Sequence, residues 1–274
     1  MGTAASNPSA SRSHSIEVAL SRLLEERPKL HSLNDSDPGD DRTSKERLTS
    51  WGIQGNFLRL LVELVTTDSL TLETGSGLST ICLAIIGAKH ICVSPSPKEH
   101  DRIRQYCAEH QISTERIRFI QMKSKAALPS LDTGGRKLDF ALIDGAHAFP
   151  EPIVDYYYIN ERLRVGGILA IDDLDIFGVG ILHKFLITER NYELVKIDEL
   201  KTGIYRKVGD AGYPVDWLSQ RFNRRYPDLS YLPFQARVRE KLRPLAEKLP
   251  AGVSRIPGLR GAYRQTRKWW NKGP

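Results

Sequence analysis

The sequence predicts an α/β protein built on a doubly wound, mostly parallel sheet, with helices before it and a basic extension after it. Three observations predict this. Short apolar runs alternate with amphipathic segments between residues 70 and 189, as expected of parallel strands joined by crossover helices. A Gly-x-Gly turn, Gly75 and Gly77, joins the first of these strands to its helix. Two later strands end in acid, at Asp144 and at the Asp172–Asp173 pair, on the carboxyl rim where such sheets bind ligands.

Residues 1–14 are rich in Ser, Ala and Asn and are expected to be disordered. Ser15–Glu26 carries Ile16, Val18, Leu20, Leu23 and Leu24 and reads as an amphipathic helix capped by Ser15. It opens a helical cap over residues 15–51, in which Leu33–Lys45 is an Asp/Ser/Pro/Gly linker or lid. Asn56–Val65 is a second apolar-faced helix. Within a main domain over 52–208, strands are expected at 70–74, 89–94, 116–121, 138–143 and 167–172. Helices are expected at 78–86, 97–110, 151–163 and 179–189. Tyr192–Ile197 and Gly203–Lys207 read as an antiparallel hairpin that completes seven strands. Residues 209–274 form the C-terminal extension.

At 274 residues the chain has core enough to fold without staples. Its three cysteines are odd in number and lack a Cys-x-x-Cys spacing. Cys82 and Cys92 fall in apolar patterns and read as reduced core residues, which points to a reducing compartment. No run of 18 apolar residues occurs, so no transmembrane helix is expected. The N-terminus lacks an apolar secretory core, and a cytoplasmic location is expected.

The net charge of +7 is unevenly placed. Residues 235–274 hold eleven basic and two acidic residues, +9 in all, which leaves about −2 for the rest. Val238, Leu242, Leu245 and Leu249 recur at helical spacing, and Trp269–Trp270 sits among Arg267, Lys268 and Lys272. This suits an anionic membrane surface. Nucleic acid would also accept such a tail. So would the chain's own domain, if the stripe packs there and the charges stay solvated. No base-methylating Asn-Pro-Pro-Tyr motif or RNA-binding module occurs.

The residues that carry chemistry gather at the strand ends. Glycines at 75 and 77 let a ligand lie against main-chain N–H groups at the helix start. Glu73 can accept hydrogen bonds from a cationic or hydroxyl-bearing ligand. Thr80 stands where the dinucleotide fingerprint has its third glycine, which excludes that fingerprint. By itself the turn suits a nucleotide-like ligand or a plain strand–helix connection equally. Asp144, Asp172 and Asp173 would face one crevice, and converging carboxylates need a cation or donors to offset them. Each also has a plainer reading. Asp144 can form a turn before Gly145, and Asp172–Asp173 can be a helix cap beside a solvated acid. His147 can be structural, Asp155 a helix cap or intrahelical partner, and His183 part of an apolar helix face.

Leu72-Glu-Thr-Gly-Ser-Gly77 resembles motif I of the class I S-adenosylmethionine-dependent methyltransferases. Ile143-Asp-Gly-Ala-His147, Asp155 and Gly166-Gly-Ile-Leu-Ala-Ile-Asp-Asp173 resemble the Asp-Gly-x-His subgroup, which contains many bacterial small-molecule and sugar O-methyltransferases. The resemblance covers residues 52–208 and implies a seven-stranded Rossmann-like methyltransferase fold. It implies S-adenosylmethionine as cofactor, held by Glu73, Gly75, Ser76, Gly77, Ser79, Ser94, Ser124 and Asp144. It implies a small-molecule or sugar hydroxyl as methyl acceptor. By similarity to catechol-type and macrolide-sugar enzymes, Asp144, Asp172 and Asp173 are candidate ligands of Mg²⁺. Ser124 matches a serine beside the adenine, and equally reads as the cap of a helix at 125–131.

Two departures stand out. Ser94 occupies the place of the acid that holds the ribose hydroxyls, and a serine carries no charge. No lysine lies near Asp144 in sequence, which leaves Asp144 and His147 as candidate catalytic residues, His147 as the group that takes a proton near neutral pH. The alternatives to a small-molecule O-methyltransferase are a nucleic-acid methyltransferase and a non-catalytic methyltransferase-fold binding protein at an anionic membrane.

Overall fold

The computed structural model describes residues 8–32, 47–50, 53–210, 216, 219–225 and 231–238. The chain divides into two compact units, Met1–Phe222 and Asn223–Pro274. The expectations for residues 1–7, the linker at 33–45 and most of the tail (239–274, with its Leu and Trp positions) lie outside the described residues. Of the second unit, Tyr231 and Phe234 are exposed.

The first unit is a seven-stranded sheet between two helical layers. Its strands are β3 (Leu70–Thr74), β4 (Lys89–Val93), β5 (Ile117–Ile120), β6 (Leu138–Ile143), β7 (Leu163–Ile171), β8 (Tyr192–Asp198) and β9 (Thr202–Lys207). They lie in the order β5-β4-β3-β6-β7-β9-β8, the first five parallel to one another and β9 antiparallel to both of its neighbours. The order reverses direction at β3, so the crevice between the ends of β3 and β6 is the topological switch point.

Burial follows the two-residue period of a strand covered on both faces. Cys92, Phe140 and Leu142 enter one core, while Ile91, Val93, Ala141 and Ile143 enter the other. The first core is closed by α1 (Pro8–Glu26), α2 (Gly55–Leu64), α3 (Leu78–Ile86) and α4 (Pro97–Glu109). The second lies under α5 (Ser124–Ala127), the 3-10 turn Leu128–Ser130, α6 (Glu151–Arg162) and α7 (Phe177–Thr188). Cys82, Cys92 and Cys107 are free and buried, as read for the first two.

Three differences from the sequence reading have local causes. α1 begins at Pro8, so residues 8–14 are helical where disorder was expected, and Ser15 lies inside the helix and is not its cap. β7 starts at Leu163, directly after α6, because Leu163 already pairs with Leu138 before the left-handed Gly166 (φ +82) and a register shift interrupt the ladder. The antiparallel hairpin closes the sheet at its edge, as expected. Its second strand, β9, docks beside β7 and leaves β8 outermost. A short ribbon, β1 (His31–Ser32) with β2 (Leu48–Thr49), pairs the two flanks of the linker. Arg102 of α4 donates to the Leu30 carbonyl (2.9 Å) and Tyr106 to Glu26 (2.8 Å), which ties the ribbon's approach to the domain.

Candidate active site

A cavity of about 710 Å³ opens at the carboxyl ends of β3, β4, β6 and β7. Its floor is set by main chain. The ladder runs past the strand ends, with Gly75 N–H on the Val93 carbonyl (2.9 Å), Asp144 N–H on Thr74 (3.0 Å) and Asp172 N–H on Ile143 (3.1 Å). Gly75 sits at φ +98, and a Cβ there would lie 2.1 Å from the Asp144 carbonyl oxygen. Glycine is therefore required to let two strand ends close on each other, and not only to make room for a ligand. Gly77 is extended (φ 172) and a Cβ there would first meet the His31 ring at 3.4 Å.

Glu73 corrects the sequence reading. Its carboxylate is 1% exposed and is absent from the cavity wall. It accepts hydrogen bonds from Ser79 Oγ (2.6 Å) and from Thr80 Oγ1, and pairs with His90 Nε2 at 3.1 Å. Thr80 Oγ1 in turn accepts the Gly77 N–H (2.9 Å). The acid therefore braces the start of α3 from within, and the Ser79 hydroxyl is committed to it. Burial acts to raise the Glu73 pKa, but His90 and the two hydroxyls outweigh it and hold the group below its ordinary value.

The acid that the end of β4 lacks is supplied from α4. Ser76 Oγ and Ser94 Oγ both donate to Glu99 Oε2, at 2.7 and 3.0 Å, and all three residues line the cavity. Glu99 stands in the first turn of α4, whose cap Ser96 accepts the Glu99 N–H (3.4 Å). The sequence signal was present: Glu99 lies 22 residues after Gly77, near the spacing of about 20 at which an acid meets a ribose in related nucleotide folds. Its place in a Ser-x-x-Glu capping pattern hid it. His31, whose Nε2 lies 2.8 Å from the Ser76 carbonyl oxygen, also lines the cavity. No sequence signal marked it, since only the ribbon carries it there.

Ser124 is the first residue of α5, with Lys123 at the cap position, so the capping role read for it does not hold. It does line the cavity. Behind it Asp155, fully buried in α6, is raised by burial, with the Ser124 and Thr74 hydroxyls offsetting part of that.

At the other end, Asp144, Asp172 and Asp173 reach the same cavity, as expected, together with His147. Of these four, Asp144, His147 and Asp173 bring ligand atoms within 4.8 Å of one another. Asp172 Oδ1 instead accepts from Thr202 Oγ1 at 2.5 Å, and Asp172 is 3% exposed. Asp173, at φ +58, turns its carboxylate to His147 Nδ1 (3.1 Å) and to the Lys201 ammonium. Withdrawal from solvent, then the charges of Asp172, Glu73 and Asp173, push Asp144 well above its ordinary value, with Lys201 acting in the opposite sense. Lys201 is raised by its hydrogen bond to Asp173 and by the surrounding acids, against a burial effect. The sequence showed no lysine beside Asp144. The hairpin between β8 and β9 delivers one.

His147 Nε2 is buried with no hydrogen-bond partner, 3.8 Å from Asp144 Oδ1. With Nδ1–H donating to Asp173, the free Nε2 is left as the basic nitrogen. An imidazole oriented by a carboxylate and unpartnered at its other nitrogen is equipped to accept a proton.

Comparison with known proteins bears on this geometry. Residues 72–174 match the family model described as a methyltransferase domain. No curated protein sequence matches the chain. Among solved structures, the O-methyltransferase TomG from Streptomyces achromogenes, involved in tomaymycin synthesis and crystallised with S-adenosylmethionine, is 16% identical. That match covers 70% of this chain and 90% of TomG, with a TM-score of 0.52. An rRNA methylase from Streptococcus thermophilus is 17% identical, and that match covers 57% of this chain and 96% of the methylase at a TM-score of 0.46. The matched segment contains the Gly75–Gly77 turn, Glu99, Ser124 and the Asp144–His147 stretch. Residues 72–174 are thus similar to a methyltransferase domain, and the seven-stranded sheet has the Rossmann-like fold seen in solved methyltransferases such as TomG.

Proposed function

We propose that the protein transfers a methyl group from S-adenosylmethionine to a hydroxyl of a small molecule or sugar. The observation that carries this reading is one cavity whose two ends differ. One end has the glycine turn with the Ser76–Ser94–Glu99 cluster, and the other has His147 with its unpartnered Nε2. At about 710 Å³ the cavity falls in the range of pockets that take a cofactor-sized ligand.

The residues fit this cofactor. A carboxylate flanked by two serine hydroxyls suits a ribose diol, and the exposed main chain of the turn suits the polar amino-acid part. When bound, S-adenosylmethionine supplies a methyl group on a sulfonium, which departs as a neutral thioether. The chain's own residues do the rest. His147 Nε2 takes the hydroxyl proton as the oxygen attacks, and Asp173 holds the ring in the required tautomer and stabilises the imidazolium. Asp144 Oδ1 lies 3.8 Å from the same nitrogen.

The expected Mg²⁺ site fits less well. Mg²⁺ requires near-octahedral oxygen ligands, and here the cluster offers the Asp144 carboxylate, one imidazole nitrogen and an Asp173 whose two oxygens already face His147 and Lys201. No step is assigned to a metal.

The test is calorimetry with S-adenosylhomocysteine, followed by methyl transfer to a panel of hydroxylated small molecules and sugars. His147→Gln should leave product affinity unchanged and lower turnover by about 10²–10⁴-fold, the contribution of a positioned base. Absence of binding at millimolar product removes the enzyme reading. Binding with methylation of RNA in place of small hydroxyls removes the acceptor class alone.

A further inference from the structure

Two consecutive residues of one hairpin address two consecutive acids at one strand end. Lys201 Nζ pairs with Asp173 Oδ1, and Thr202 Oγ1 donates to Asp172 Oδ1 at 2.5 Å. The hairpin is held for this. Lys201 N–H donates to the Asp198 carbonyl (3.0 Å), and the Lys201 carbonyl accepts from Leu174 N–H (2.9 Å), one residue beyond Asp173. Glu199 and Leu200 take left-handed conformations (φ +46 and +62) in the turn before it. The Lys201 side chain is 35% exposed at the cavity wall, whereas Asp173 is 17% exposed.

Converging carboxylates at a cleft repel unless a cation lies among them. Among the described residues, Lys201 is the lysine paired to this cluster. We propose that Lys201 is a tethered cation standing where a divalent metal would otherwise sit, so that the site at Asp144, His147 and Asp173 is built to work without a metal ion. Most of the metal-ligating oxygens at this strand end are already engaged. Asp173 gives one oxygen to Lys201 and the other to His147, and Asp172 is turned to Thr202. A metal that took Asp173 as a ligand would have to displace the ammonium or draw the carboxylate from His147, leaving Asp144 as the one carboxylate of the cluster not already engaged.

A lysine is a compact point charge that neutralises without imposing a coordination geometry. Asp173 can then keep its second oxygen on His147 Nδ1, the contact that leaves Nε2 free. Lys201 is thus a positioning residue for His147. The consequence for catalysis rests on the methyl-transfer reading, but the competition between lysine and metal does not.

The test is titration of the full-length protein with Mn²⁺, read by loss of the free-ion electron paramagnetic resonance signal, with S-adenosylhomocysteine calorimetry on the same samples. Wild type and Lys201→Arg should bind no Mn²⁺ at millimolar concentration. Lys201→Met should bind it at least tenfold more tightly, and Asp173→Asn on that background should abolish the gain. Mn²⁺ binding by wild type that Asp173→Asn removes would overturn the proposal even if Lys201→Met failed to fold. A folded Lys201→Met variant that gains no Mn²⁺ affinity would overturn it as well. Loss of S-adenosylhomocysteine binding in wild type would count against the methyltransferase reading and leave the metal comparison intact.

Discussion

Replacing Glu99 with Gln removes a charge from the cavity while keeping the shape of the side chain. In the structure Ser76 Oγ and Ser94 Oγ donate to one carboxylate oxygen at 2.7 and 3.0 Å. The carboxylate is thereby oriented, and its remaining acceptor capacity is open to the two hydroxyls of a ribose. Hydrogen bonds to a charged group contribute about 1.5–3 kcal/mol each, against about 0.5–1.5 for neutral pairs. Exchange at two hydroxyls therefore costs roughly 2–3 kcal/mol, or about 30–150-fold in affinity. On folding, the half-buried residue loses a favourable acid in the first turn of α4, about 0.3–1 kcal/mol, and the Ser76 and Ser94 hydroxyls keep an acceptor that no longer carries charge. Calorimetry with S-adenosylhomocysteine reads the loss directly. The 2′-deoxyribose analogue supplies the control, since it lacks one of the hydroxyls and should lose less on the same substitution. Restoring an acid at the strand end, in Ser94→Asp with Glu99→Gln, should recover part of the affinity. Equal losses for both analogues, or no loss for either, would refute the assignment of Glu99 to the sugar.

Three further outcomes follow from the geometry. Gly75→Ala should destabilise strongly in thermal denaturation, by roughly 1–2 kcal/mol for the left-handed backbone plus about 1–3 for overpacking, because its Cβ would lie 2.1 Å from the Asp144 carbonyl. Gly77→Ala, at an extended φ of 172 with 3.4 Å of room, should cost far less, and similar melting shifts for the two would contradict the steric account. Glu73 is held below its ordinary pKa, so it contributes stability above the ordinary carboxylate range that is lost as the pH falls through its depressed value. Glu73→Gln should accordingly flatten the acid limb of the stability–pH curve, and an unchanged slope there would count against the His90 network. The tail, with eleven basic residues against two acidic ones over 235–274, should sediment the protein with anionic vesicles at low salt, each engaged basic group adding about 1 kcal/mol. Deletion of the tail should abolish sedimentation and spare cofactor binding.

What the sequence determined by itself is local. Strand and helix boundaries between residues 70 and 207 fell within a few positions of the structure, because apolar periodicity, the Gly75–Gly77 turn and the Ser96–Pro97 helix start act over single turns of chain. The acids at the ends of β6 and β7 were legible for the same reason. The tertiary structure alone decided which way they point and what meets them. Glu73 belongs to a parallel strand buried on both faces, where no polar–apolar alternation distinguishes the ligand side from the interior, and it turned inward to Ser79, Thr80 and His90. Ser94 looked like a lost acid until α4 set Glu99 against it. Lys201 and Thr202 reach the Asp172–Asp173 pair only because β9 docks beside β7, which brings together residues about 30 positions apart. Sequence spacing reports neighbours along one element, whereas the charge balance of a site depends on which elements the sheet makes adjacent.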